Sequence, residues 1–291
     1  MDTLVICSGG LDSVSLAHKV AGERNLCGLL SFDYGQRHVK ELGFARACAE
    51  RLDVPHHVVD ISAVGATLSG SALTDDIEVP DGHYAEESMK ITIVPNRNAI
   101  MLTIAFGMAA AQKLDAVATA VHGGDHFIYP DCRPGFIDAF QAMQNHALEG
   151  VADIELYTPF VNATKADIVK EGAKFDTPFA ETWSCYKGGD LQCGRCGTCV
   201  ERREAFFLAG VPDPTEYKDA EYWKAVTSQG AVCCTGSPRN FTSPPRTNSW
   251  GWSMATHARN CTAITTSSKW NMPLRRSILW VSSATSVIWA R

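Results

Sequence analysis

Two groups of residues have the types and spacing to do chemistry. One reads Cys185-Tyr-Lys-Gly-Gly-Asp-Leu-Gln-Cys193-Gly-Arg-Cys196-Gly-Thr-Cys199, with three thiols at three-residue steps and a fourth eight residues upstream. Four thiolates on a short, glycine-rich loop can close a tetrahedral shell around one metal ion. The other group is Ser8-Gly9-Gly10-Leu11-Asp12-Ser13, directly after the apolar run Leu4-Val5-Ile6-Cys7. A strand running into a glycine turn and then a helix presents backbone amides and hydroxyls to a phosphate. Gly9 and Gly10 allow positive φ and close backbone approach, and Ser8 and Ser13 supply hydroxyls. Asp12 cannot ligate phosphate without a cation, so its expected work is ordering the loop or contacting Mg2+. A nucleotide site and a metal knuckle in one chain point to an enzyme.

The elements that must position these groups alternate. Strands are expected at Thr3–Cys7, Leu26–Phe32, His56–Asp60, Ala116–Ala120 and Glu155–Tyr157. Helical stretches lie between them: Ser13–Glu23, His38–Leu52, Asn98–Lys113 and Pro134–Leu148, with a further helix starting near Lys165. Leu42, Ala45, Ala49 and Leu52 share one face of the second, and Phe136, Phe140, Met143 and Ala147 one face of the fourth. Strand–helix alternation predicts an α/β fold, a doubly wound parallel sheet with helices on both faces. Ligands of such sheets sit at the carboxyl ends of the strands, where Ser8–Ser13, Asp33–Gln36 and His122–Asp125 should converge. The long, polar gap Ser62–Lys90 reads as a lid or an insertion near the substrate.

Cysteine also occurs elsewhere. Cys7, Cys27 and Cys48 fall in expected core elements and read as small buried hydrophobes, and Cys132 belongs to neither group. For the cluster, an iron–sulfur centre competes with zinc, since ferredoxins also space thiols this way. One structural zinc per chain is simpler and needs no redox role.

Composition bounds the class. Hydrophobic residues make up 45% and charged residues 20% of 291, as in a globular protein with a substantial core. No apolar run reaches the ~18–20 residues that span a bilayer, and the N-terminus lacks a signal peptide's basic flank. The expectation is a cytoplasmic protein with no membrane partner, whose cysteines are thiols and metal ligands. The net charge of −6 is divided unevenly: residues 231–291 hold six Arg, one Lys and no acid, for +7. The other 19 basic residues against all 32 acidic ones leave the body at −13, a poor nonspecific partner for nucleic acid. Three regions follow: 1–180, an ATP-binding α/β domain; 181–230, a zinc-binding helical region; and 231–291, an atypical tail. That tail carries five of seven tryptophans and 18 Ser and Thr. It is expected to be disordered or an out-of-frame extension.

The chain has no Walker pattern of Gly, four residues and Gly-Lys-Ser/Thr. Its Ser8–Ser13 string instead resembles the PP-loop of the N-type ATP pyrophosphatases. These enzymes adenylate a carbonyl or carboxyl oxygen, release pyrophosphate and let a nucleophile displace AMP. Further motifs narrow the match: Asp33-Tyr-Gly-Gln-Arg-His38, Val94-Pro-Asn-Arg-Asn98, Tyr129-Pro-Asp-Cys-Arg133 and the cysteine region Trp183–Tyr217. Together they resemble the QueC family of queuosine precursor biosynthesis over about residues 1–225. One departure is Gly123-Gly-Asp-His-Phe127, bulkier and more basic after Asp125 than the family pattern.

The resemblance implies a PP-loop ATP pyrophosphatase fold and a ligase reaction. ATP with Mg2+ activates the carboxylate of 7-carboxy-7-deazaguanine, ammonia gives the amide, and a second adenylation yields the nitrile, 7-cyano-7-deazaguanine. It implies that Ser8, Gly9, Gly10, Leu11, Asp12 and Ser13 hold ATP, with His18 completing the pocket, and that the protein is a homodimer. Arg97 and Arg133 are candidates for the substrate carboxylate or α-phosphate, and Asp125 or Asp131 for the guanine-like edge. Tyr129 is a candidate for stacking and Lys165 for phosphate; no general base is evident. Three alternatives stay open at this point. They are tRNA thiolation, a nonenzymatic zinc-binding module, and a related enzyme acting on another deazapurine or a macromolecule.

Overall fold

The computed structural model describes residues 1–36, 40–68, 70–84 and 87–232. The atypical tail expected from residue 231 lies, beyond residue 232, outside the described residues.

Five strands form one sheet: β1 (Asp2–Ile6), β2 (Asn25–Asp33), β3 (His56–Asp60), β4 (Ala116–Ala118) and β5 (Glu155–Tyr157). The order is β3-β2-β1-β4-β5, and every pairing is parallel. The chain first steps outward from β1 to β2 and β3, then returns to the other side of β1 for β4. That reversal makes a crevice between the carboxyl ends of β1 and β4, where open α/β sheets bind ligands.

Adjacent residues of a strand point to opposite faces, and the apolar pairs divide accordingly. Leu4, Leu30 and Val117 enter one core with Leu102, Phe106, Ile137 and Phe140. Val5, Leu29 and Ala118 enter the other with Val14, Leu16, Ala45 and Ile168. The first core is covered by α4 (Arg97–Gln112) and α5 (Pro134–Ala147). The second is covered by α1 (Leu11–Glu23), α2 (Glu41–Leu52) and α6 (Lys165–Lys174). Continuous apolar strands with both faces buried are what parallel sheets require.

Most expected elements appear within a few residues of their bounds. The differences have local causes. The fourth strand stops at Ala118, and Thr119 and Ala120 beyond it line the cavity. On α5 the buried residues are Ile137, Phe140 and Gln144, whereas Met143 is 45% exposed and Ala147 is exposed. Gln141 lies on the same side and bonds the Ile154 carbonyl and the Leu156 amide at the end of the sheet. The helix is therefore rotated from the face its apolar spacing suggests. Cys7 and Cys48 are buried as expected, but Cys27 is half-buried near the edge of β2.

After β3 come a single helical turn, α3 (Ser62–Gly65), and the irregular segment up to residue 92. The C-terminal part of the described chain holds α7 (Gly197–Ala209) and α8 (Tyr222–Val232). Helix α7 packs on α6 through Val169, Phe179, Ala205 and Phe206. No helix among the described residues is long and apolar enough to cross a membrane.

Candidate active site and metal centre

A cavity of about 280 Å³ opens at the carboxyl ends of β1, β2 and β4. The β1–α1 loop forms its floor. Ser13 Oγ receives the Ser8 amide at 3.2 Å, lies 3.3 Å from Ser8 Oγ and donates to the Gly10 carbonyl at 3.2 Å. The two serines therefore brace the loop as well as facing the cavity. Gly10 caps α1 without a side-chain bond, so the first amides of that helix stay available to an anion. Ser8, Gly10, Leu11, Asp12 and Ser13 line the cavity. Gly9 does not; its φ of +84° and missing side chain let α2 close over the loop, and a Cβ there would meet the Glu41 carbonyl at 2.2 Å.

A charged network stands beside the loop. Lys165, the first residue of α6, places Nζ 2.6 Å from Glu201 Oε2 and 3.3 Å from Asp12 Oδ2. Thr164 and Asp167 form a reciprocal cap that starts α6 and so fixes where Lys165 begins. Burial works against the Lys165 charge, but Asp12, Glu201 and Asp125 outweigh it and hold its pKa above the ordinary lysine value. His122 accepts the Gly124 amide on Nδ1 at 3.1 Å, which leaves the proton of the neutral ring on Nε2. That nitrogen lies 3.4 Å from Asp125 Oδ2 and 3.8 Å from Asp12 Oδ2. Burial raises the Asp125 pKa against the opposing pull of His122 and Lys165. Asp12 Oδ1 is buried with no hydrogen-bond partner.

Another set of lining residues is aromatic and carries Arg97. The Arg97 guanidinium donates to the Tyr34 hydroxyl at 3.4 Å, and Tyr129 and Tyr186 line the same cavity. The Tyr129 hydroxyl is 2.7 Å from Thr92 Oγ1. Glu41, in the first turn of α2, also lines the wall. Burial pushes its carboxyl up to about 7, with Arg97 acting in the opposite direction.

The structure thus brings together the β1–α1 loop, Arg97, Asp125, Tyr129 and Lys165. Besides Gly9, three expected site residues do not line this cavity. His18 is buried further along α1, near the Phe175 backbone, and burial lowers its pKa. Asp131 accepts the Asn98 amide at 3.1 Å and so satisfies the start of α4. Arg133 is exposed and donates to the His126 carbonyl at 2.8 Å. Of the departing Gly123–Phe127 stretch, Gly124 and Asp125 line the cavity, and Phe127 is 68% exposed. Sequence reading did not single out Tyr34, Glu41, Tyr186 or Glu201. Tyr34 sits inside a motif that flags it only collectively. An acid in a first helical turn, like Glu41, reads as a dipole partner, and Glu201 is hidden among the polar residues of α7.

Four of the cysteines form a candidate metal centre. The sulfurs of Cys185, Cys193, Cys196 and Cys199 all lie within 4.8 Å of one another, and Cys193 Sγ is 3.8 Å from Cys199 Sγ. Metal–sulfur bonds of about 2.3 Å in a tetrahedron imply a sulfur separation of about 3.8 Å, so the four residues fit one ion. The Cys193 amide points at Cys185 Sγ at 3.3 Å, and the Arg195 and Cys196 amides point at Cys193 Sγ at 3.3 Å. Such donors stabilise thiolates. Cys196 caps α7 and Cys199 lies in its first turn, where the helix dipole also favours negative charge. Gly194, at φ +76°, passes so close to the Asp219 carbonyl that a Cβ would lie 1.9 Å from it.

The metal centre and the cavity share a wall. Trp183, Ser184, Cys185, Tyr186 and Thr198 line the cavity, and Trp183 packs with the cysteines in one apolar cluster. The irregular segment after β3 is tied to this wall by Asp81, which pairs with Lys187 at 2.7 Å and Arg195 at 3.1 Å. Its residues Ala72, Leu73, Tyr84 and Met89 reach the cavity.

Residues 2–210 match the family model described as "Queuosine biosynthesis protein QueC". The chain is 77% identical over 227 residues to the 7-cyano-7-deazaguanine synthase of Rhizobium meliloti, covering 78% of this chain and 96% of that one. It is 74% identical over 229 residues to the protein of the same name from Brucella ovis, covering 79% and 99%. It is also similar to the NMN synthetase of Francisella tularensis, at 18% identity and a TM-score of 0.38, over 82% of this chain and 89% of that one. A parallel five-stranded sheet, a glycine-rich β1–α1 loop and a four-cysteine cluster accompany a family match that spans most of the chain; it belongs to the QueC family of queuosine biosynthesis proteins.

Proposed function

We propose that this protein is a ligase that converts 7-carboxy-7-deazaguanine and ammonia to 7-cyano-7-deazaguanine with two molecules of ATP. The observation that carries the reading is the convergence of the phosphate loop, Lys165 and Arg97 on one cavity at the sheet's switch point. In the first half-reaction a carboxylate oxygen attacks the α-phosphorus of ATP and pyrophosphate leaves. Ammonia then attacks the acyl carbon, AMP departs with that oxygen, and a proton is released, leaving the amide. In the second, the amide oxygen attacks the α-phosphorus of another ATP and pyrophosphate leaves; loss of AMP and of the two remaining N–H protons forms the C≡N bond. Both carboxyl oxygens therefore leave on AMP.

The chain's contribution is positioning and charge neutralisation. Ser8, Gly10 and Ser13, with the amides that start α1, bind the phosphates, and Lys165 meets the same anion beside Asp12. Asp12 Oδ1, buried without a partner, fits the role of holding the Mg2+ that accompanies ATP and neutralises its charge. Arg97 takes the substrate carboxylate, and Tyr129 and Tyr186 flank the ring.

The four-thiolate centre holds structural zinc in this reading. The sulfurs fit one ion, whereas a multi-iron cluster would spread them further apart. Residues 1–180 act as the ATP-binding domain and 181–230 as the zinc-bearing wall of its site. The protein works in the cytoplasm as a homodimer, without binding nucleic acid itself. Light scattering of the purified protein tests the dimer, and metal analysis tests the zinc.

The deciding assay supplies ATP, Mg2+, 15N-ammonium and 7-carboxy-7-deazaguanine. The expected result is a nitrile carrying 15N, with two AMP and two pyrophosphate per nitrile. A folded, metal-loaded protein that makes AMP but no nitrile would point to another acceptor.

A further inference from the structure

Four carboxylates and two cationic side chains line the cavity: Asp12, Glu41, Asp125 and Glu201 with Arg97 and Lys165. Three of the carboxylates are engaged. Asp12 and Glu201 meet Lys165 at 3.3 Å and 2.6 Å, and Asp125 faces the His122 imidazole at 3.4 Å. Lys165 is thereby committed to two acids. Among the described residues, Glu41 has no side-chain hydrogen bond and no ion pair, and Arg97 has no carboxylate partner. Both contribute to the electrostatic environment of Tyr34, so the two lie in one region of the cavity, yet they do not pair with each other.

An anion half-buried in the cavity wall and left unpaired is costly unless a ligand completes it. The substrate of the proposed reaction is complementary to this arrangement. At one end of its bicyclic ring it carries a carboxylate, which calls for a cation. At the other it presents the guanine-like edge, a ring N–H beside an exocyclic amino group, which calls for an acceptor with two oxygens. Resting on that reading, we infer that Glu41 is the specificity-determining residue that accepts the N–H donors of the aminopyrimidinone edge while Arg97 holds the carboxylate. Asp125, already facing His122 and grouped with Lys165 and Glu201, belongs to the phosphate side.

Glu41 sits where it does because α2 closes over Gly9. A Cβ on Gly9 would meet the Glu41 carbonyl and the Ala45 amide within 3 Å. The phosphate loop and the residue that reads the base edge are thus packed against one another. The requirement for glycine at the loop and the placement of the acid are one contact.

The test compares wild-type protein with Glu41→Gln and Glu41→Asp, full length and metal-loaded. KM is measured separately for 7-carboxy-7-deazaguanine and for ATP, and again with an analogue lacking the exocyclic amino group. In Glu41→Gln the KM for the acid should rise ten- to a hundredfold while that for ATP stays within twofold. The wild type should prefer the amino-bearing acid at least tenfold over the analogue, and the variant should lose most of that preference. An equal rise in the ATP KM would assign Glu41 to the nucleotide and overturn the inference, as would undiminished discrimination. If the wild type forms no nitrile, the proposed reaction fails on its own, and calorimetric binding of the acid decides the inference. Binding weakened tenfold or more in Glu41→Gln supports it, and binding that is absent from the wild type or equal in both overturns it.

Discussion

At the scale of single residues, the site is a set of charges whose partners differ. Glu41 is ionised at a cost. Its carboxyl has an ordinary value of 4.5 and is raised to about 7 by burial, with Arg97 in opposition. In acid the group is protonated in both folded and unfolded chains and costs nothing. As the pH rises through the interval up to about 7, the unfolded chain ionises first, so folded stability falls. Glu41→Gln should therefore stabilise the fold at pH 8 by roughly 1–3 kcal/mol and scarcely at all near pH 5, since one pKa unit is about 1.4 kcal/mol. Thermal melts of both proteins across that range check it; a stabilisation that is the same at both pH values would remove the argument. Lys165 makes the opposite kind of contribution, because its charge is supported by two acids. Replacing it by Met leaves Asp12 and Glu201 facing each other and removes a phosphate contact. Turnover should drop about 10²–10³-fold and the melting temperature should fall as well, since Asp12 and Glu201 lose their shared cation, as steady-state kinetics and a melt on the same preparation would show.

At the scale of elements, the metal loop and α7 behave as one unit. Arg202, wholly buried on α7, donates to Thr182 Oγ1 at 2.7 Å and to the Phe179 carbonyl at 2.9 Å. Its Nε lies 3.6 Å from Asp213. It ties the polypeptide before the first cysteine to the helix after the last one. Arg202→Leu would take the donors from the Thr182 hydroxyl and the Phe179 carbonyl and leave Asp213 with Arg203 alone, at 3.6 Å; it should destabilise the protein by about 2–4 kcal/mol, measurable by denaturant titration. Removing the metal acts on the same unit. A four-thiolate ion contributes on the order of 10 kcal/mol to local folding, and Trp183, Cys185 and Tyr186 line the cavity. A strong chelator should abolish hydrogen-exchange protection across residues 183–209 before it affects β1 and β2. Substrate binding should be lost together with that protection.

At the scale of the whole molecule, both relatives are matched over nearly all of their own length by less than four fifths of this chain. The acidic body and the basic, acid-free stretch beyond it are also different in kind. A chain ending at Val232 should therefore keep its metal and its turnover within twofold, tested by metal analysis and the nitrile assay on the shortened protein. A loss of either would show that the remaining residues take part in the enzyme.

Much of this architecture is decided by local rules that a sequence displays directly. The run Leu4–Cys7 followed by a serine and two glycines must be a buried strand entering a tight turn, and the structure has β1 and α1 there. Thiols at 193, 196 and 199 with one at 185 can share an ion because three-residue steps on a glycine-rich loop bring sulfurs to one side, and the four sulfurs do cluster. Alternation of strands and helices sufficed for the parallel sheet. What only the tertiary structure decided is which polar side chains share the cavity. Tyr34, Glu41, Tyr186 and Glu201 come from the end of β2, α2, the cysteine loop and α7, and no periodicity within one element registers a meeting between four. The same holds for exclusions. Asp131 looks like a ligand residue beside Arg133 in the chain, yet it spends its carboxylate on the start of α4, because an unsatisfied helix amide competes for any acid that packing brings within reach. His18 lies on the helix that leaves the loop but is buried beside the Phe175 backbone, since the rotation of α1 is set by Val14, Leu16, Ala17 and Val20 in the core. Residue type and spacing determine what chemistry is available; the packing of elements against one another determines which groups are left unpaired to perform it.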